Sequence, residues 1–135
     1  MRPKHSRRLA SNLLLLLMGI SPATFLVSWM WLNWNDGIVR LLPQLPIAFA
    51  YDFIVFALPL GMGALAHYAL MMAARRFLGM SERPLRVASL TVSLVLTLGA
   101  ILVVGVRNLN SPVTTILWII ASLAFGVFAR IPQPD

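Results

Sequence analysis

The chain contains no cysteine, one lysine (Lys4) and four acidic residues. Without thiols there is no disulfide and no thiolate ligand for a metal, and the redox compartment leaves no trace in the sequence. Charged residues make up 11% of the 135 residues, against roughly a quarter in soluble domains. Enzyme signatures are also missing. There is no phosphate-cradling glycine loop, no histidine pair at metal-ligand spacing and no nucleophile elbow. With only two histidines and four carboxylates, a catalytic constellation is hard to assemble. The reading is therefore of a non-enzyme that carries no cofactor.

What is abundant is apolar. Hydrophobic residues reach 59% and the mean hydropathy is +0.84. A water-soluble chain of this size has too little interior to bury that much apolar surface. A bilayer removes the constraint by becoming the outer solvent. Four apolar runs, at residues 9–32, 47–74, 87–106 and 113–129, approach or exceed the ~20 residues a helix needs to span hydrocarbon. None alternates polar and apolar residues as a barrel strand does. The expectation is an all-α, four-helix membrane bundle of two antiparallel hairpins, forming one domain over residues 1–135.

Charge orients it. The basic segments 1–8 and 75–86 together with Arg130 hold nine of the eleven Lys and Arg residues, and the opposite side holds only Arg40 and Arg107. That bias places both termini in the cytoplasm, most simply at a bacterial inner membrane. The formal net charge of +7 then serves topology and contact with the lipid bilayer. Nucleic-acid binding is not expected, because no basic face interleaved with stacking aromatics is present.

Boundary residues fit the spans. Trp29, Trp31 and Trp34 anchor the exit of helix one at an interface, and residues 33–37 read as a turn. The stretch 38–42, ended by Pro43 and Pro46, suits the interface plane. Ser111 and Pro112 cap and open helix four, and the short 107–111 link makes helices three and four a tight hairpin. The basic start, leucine run and Ser21-Pro22-Ala23 resemble a signal peptide, but the apolar run continues through 24–27, so an uncleaved helix is expected. Arg8-Leu9-Ala10-Ser11 and Arg86-Val87-Ala88-Ser89 open helices one and three alike, a faint internal echo.

Few polar residues lie inside the spans. Asp52 is the most costly, and such carboxylates face water or the bundle interior. It reads either as a proton or cation site or as a shallow group reaching the interface. His67, on the same helix, lies about 60° round and ~22 Å along the axis from it, too far for an acid–base pair. An interhelical hydrogen bond is its alternative role. Pro59, Gly61 and Gly63 are expected to interrupt helix two, and Pro22 helix one. Small-residue stripes suited to helix packing comprise Gly19 and Ala23, then Ser89, Ser93 and Thr97, then Ser122 and Gly126.

Leu17-Met18 in helix one, Ile47-Ala48-Phe49 opening helix two, Phe53 and Pro59 make residues 9–74 similar to a family of small bacterial two-pass membrane hairpin proteins of unknown function. That resemblance implies a membrane location and no chemistry. The tryptophan cluster and the second hairpin depart from the family pattern. The glutamate in helix one that marks small multidrug transporters is absent. The function expected is a non-catalytic accessory or structural subunit, homo-oligomeric or bound to a partner membrane protein through its small-residue faces. The alternative is a small oligomeric transporter or channel using Asp52 and His67.

Overall fold

The computed structural model describes residues 3–104 and 112–134, and the described residues are helical with no strand. The Ser111 cap and the 107–111 link expected from the sequence lie outside them. Six α-helices follow in order: α1 (Pro3–Leu14), α2 (Ser21–Leu32), α3 (Ile38–Leu41), α4 (Leu45–Leu78), α5 (Glu82–Val104) and α6 (Pro112–Phe128). A π-helical turn, Leu15–Ile20, joins α1 to α2, and a 3-10 turn, Leu42–Gln44, joins α3 to α4. Three stretches are long and apolar enough to cross a membrane: Pro3–Leu32, Ile38–Leu78 and Glu82–Val103. The fourth expected span is α6, whose 17 residues extend only ~25 Å against a hydrocarbon core of ~30 Å.

The helices overrun the apolar runs at their basic ends. Residues 3–8, 75–78 and 82–86 are helical, so the segments expected to be basic connections are mostly the ends of α1, α4 and α5. Hydropathy marks only the greasy part of a helix. Lys and Arg are good helix formers, and nothing stops α4 until Gly79, whose φ of 60° is the left-handed conformation that glycine adopts at a helix end.

Two expected helix breaks resolve differently. In helix one the break is real and has a definite form. Pro22 lacks an N–H, and its ring crowds the carbonyl four residues back. The chain widens by one residue just before it, and the Ser21 N–H bonds to the carbonyl of Leu16. In helix two the expected interruption is absent: α4 stays α-helical through Pro59, Gly61 and Gly63. A proline costs one hydrogen bond there, but the bonds on either side hold the helix together.

The π-turn also corrects a packing face. Continued in α-helical register from buried Asn12 and Leu16, the inward face would pass through Gly19 and Ala23, as the sequence suggested. The extra residue shifts it instead to Ser21, Thr24 and Ser28, which are buried, while Gly19 and Ala23 are exposed. Thr24 returns its hydroxyl to the carbonyl of Ile20 at 2.8 Å.

The small-residue faces of α5 and α6 meet each other. Gly126 is buried, and a Cβ built on it would lie 2.8 Å from Leu90 Cα. The Ser93 hydroxyl donates to the Ser122 carbonyl at 2.6 Å, and Ser89 donates to the Gly126 carbonyl at 2.9 Å. Thr97 turns its hydroxyl back to the Ser93 carbonyl at 2.9 Å. Two apolar clusters complete the interior. One joins Leu16, Ala64, Phe125 and Ala129; the other joins Met71, Leu85 and Ile131. Both use residues from the half of the bundle that carries the basic residues.

Candidate functional site

The polar chemistry of the fold gathers where α6 ends. A helix leaves its last four carbonyls without intrahelical partners, and α6 stops at Phe128 inside the bundle. The chain continues as a non-helical segment in which Ala129, Ile131 and Pro132 are buried. Buried carbonyls without donors cost about 1–3 kcal/mol each. Here the carbonyls of Gly126 and of residues 129–132 are met by side chains from three other helices.

Arg86 of α5 donates to the carbonyls of Ala129 at 2.5 Å and Gly126 at 3.4 Å. Arg8 of α1 donates to the Ile131 carbonyl at 2.6 Å, and Arg75 of α4 to the Pro132 carbonyl at 2.8 Å. Between them, Asn12 grips both sides of one residue. Its amide nitrogen donates to the Arg130 carbonyl at 3.0 Å, and its amide oxygen accepts the Arg130 N–H at 2.6 Å. Asn12 is 1% exposed. The result is a clasp in which α1, α4 and α5 hold the segment after α6 by its backbone. Guanidinium groups suit this task, since they present several fixed donors and no acceptor.

A second row of bonds lies beside the clasp. The His67 Nε2 sits 3.1 Å from the Ser89 carbonyl and 3.0 Å from its hydroxyl. The carbonyl can only accept, so Nε2 carries the hydrogen. That leaves Nδ1 as a buried acceptor without a hydrogen-bond partner among the described residues. The imidazole packs edge-on against Phe125, with ring centroids 5.1 Å apart. His5 Nδ1 lies 3.1 Å from the Tyr68 hydroxyl and ties the start of α1 to α4.

Of the candidate residues read from the sequence, His67, Ser89, Ser93, Ser122 and Gly126 come together at this end. Asp52 does not join them. It is half-buried near the start of α4 and makes no hydrogen bond or ion pair among the described residues. Trp31 and Trp34 are exposed and Trp29 half-buried around the end of α2, which Asn33 closes by donating its amide to the Trp29 carbonyl at 2.8 Å. Ser28 leaves a buried hydroxyl without a hydrogen-bond partner among the described residues.

The residues that sequence reading missed are Arg8, Asn12, Arg75 and Arg86 as clasp members. In the sequence, Arg8, Arg75 and Arg86 stand out only as orienting charge. The one available signal was Asn12, an amide alone in the leucine-rich part of the first apolar run. The two arginines of the internal echo, Arg8 and Arg86, perform the same task on the Ile131 and Ala129 carbonyls of one segment. Compared with protein-family models, curated proteins and solved structures, the chain matches none.

Proposed function

We propose that this chain is a small integral membrane protein of a bacterial inner membrane, with both termini cytoplasmic, serving as a non-catalytic accessory or structural subunit. The observation that carries the reading is the clasp. Irregular backbone at membrane depth is tolerated only where protein satisfies it. The segment after the short helix α6 is irregular, buried and bonded by Arg8, Asn12, Arg75 and Arg86. The polar side chains of the bundle thus serve to hold the fold. The nine-to-two charge bias supports the same location. The small-residue faces of α5 and α6 are filled by their contact with each other, so partners meet the outer apolar surface, on which Gly19 and Ala23 lie exposed.

Two outcomes follow. Extraction in a mild detergent should yield the chain with a second membrane protein or further copies of itself at fixed stoichiometry. Recovery as a lone chain whose abundance depends on nothing else would remove the accessory reading. The intact mass of the protein from membranes should also include residues before Ala23, because processing there would discard Arg8 and Asn12.

A second reading, a small oligomeric transporter or channel using Asp52 and His67, has one observation in its favour. Asp52 is a carboxylate without a hydrogen bond or ion pair among the described residues, on a helix apolar enough to cross a membrane. Under the accessory reading, liposomes bearing the chain show no more proton or cation flux than empty ones, and Asp52→Asn changes nothing. Flux that disappears in Asp52→Asn would establish the second reading in its place.

A further inference from the structure

Beside the clasp, α4, the turn after it and the segment after α6 enclose an open cavity of about 680 Å³. Its polar lining comes from His5, Arg75, Arg76, Ser81 and Gln133. Arg75 is held in place by its bond to the Pro132 carbonyl, which leaves further N–H donors on the same guanidinium. Arg76 is exposed and makes no hydrogen bond or ion pair among the described residues. Among the described residues, no acidic side chain lines the cavity.

A second depression of about 410 Å³ runs between α4 and α5, lined entirely by apolar residues that include Leu70, Met71, Ala88 and Val92. The two adjoin, with Ala73, Phe77 and Met80 lining both. A basic cavity beside an apolar groove has the form of an amphiphile with an anionic head. A free anion would use the first part and leave the second unexplained. Paired arginines suit phosphate, and basic pockets at the cytoplasmic end of membrane helices receive acidic headgroups.

We propose that this is a binding site for one anionic phospholipid, with its phosphate at Arg75, Arg76 and Ser81 and an acyl chain in the groove between α4 and α5. The inference rests on the membrane reading above.

The test uses the full chain purified in mild detergent and stripped of lipid, with melting followed by tryptophan fluorescence and bound lipid counted by native mass spectrometry. Phosphatidylglycerol should raise the melting temperature by several degrees and appear as a one-lipid adduct. Phosphatidylcholine, inorganic phosphate and the deacylated headgroup glycerophosphoglycerol should do neither. Arg76→Gln should weaken the phosphatidylglycerol effect about tenfold while melting like the parent in phosphatidylcholine, as expected for one lost charge-assisted contact. Equal stabilisation by phosphatidylcholine, a full effect from phosphate alone, or indifference to Arg76→Gln would overturn the proposal. If the chain stays in carbonate-washed membranes yet fails these tests, the lipid site alone is wrong. If carbonate releases it into water, the membrane reading has failed first.

Discussion

Gly126→Ala should destabilise the bundle by about 1–3 kcal/mol, while Gly63→Ala should leave it unchanged or up to about 1 kcal/mol more stable. Both glycines lie within helices, so both substitutions gain the same intrinsic helix propensity. They differ in what the new methyl group meets. At Gly126 a Cβ would lie 2.8 Å from Leu90 Cα and 3.2 Å from Leu90 N, backbone atoms that move only if α5 and α6 separate. At Gly63 nothing lies within 4 Å. Separation would also stretch the Ser89 and Ser93 bonds to the Gly126 and Ser122 carbonyls. Paired melts of the two variants in one detergent measure the difference directly. Equal melting temperatures would mean that the two helices do not approach as closely as described.

Asn12→Leu should cost about 2–4 kcal/mol, although leucine has the same branched arrangement of side-chain heavy atoms and is a better helix former. The loss comes from the partner. The Arg130 N–H and carbonyl both bond to the Asn12 amide, at 2.6 and 3.0 Å. A leucine offers them nothing, and each orphaned backbone group forfeits its bond while remaining partly shielded from water. Amide hydrogen exchange distinguishes this cause from a packing defect. Exchange over residues 129–133 should accelerate at least tenfold, a local opening about 1.4 kcal/mol easier, while the middle of α5 stays protected. A lower melting temperature with unchanged exchange in that segment would show that the leucine disturbs packing and that the clasp contributes little.

The helices were largely legible in the sequence because long apolar runs leave few alternatives, and the stripe Ser89, Ser93, Ser122, Gly126 was legible because four-residue spacing keeps small residues on one helix face. What escaped is instructive. Gly19 and Ala23 follow the same rule, yet the π-turn before Pro22 rotates them outward. A proline signals that a helix is disturbed but not whether the disturbance is a kink, a break or one inserted residue. Pro22 produced the last, and Pro59 left α4 intact. The clasp was hidden for another reason. Arg8 bonds a carbonyl 123 residues away and Asn12 one 118 away, and hydropathy and charge counts carry no information about such pairings. The early end of α6 turned charges that looked purely topological into structural donors.

The arrangement also ties the two ends of the chain into one unit. Residues before the π-turn and after α6 share hydrogen bonds, so the orientation of one end fixes that of the other.

The absence of cysteine provides a clean route to the central claim that these helices cross a bilayer with the clasp on the cytoplasmic side. Single-cysteine variants Asn35→Cys, in the turn after α2, and Ser81→Cys, in the turn between α4 and α5, should both insert and fold, since both positions are exposed. A membrane-impermeant thiol reagent added to intact spheroplasts should label Asn35→Cys at once and reach Ser81→Cys only after permeabilisation. Labelling of both from outside, or of Ser81→Cys alone, would contradict the account.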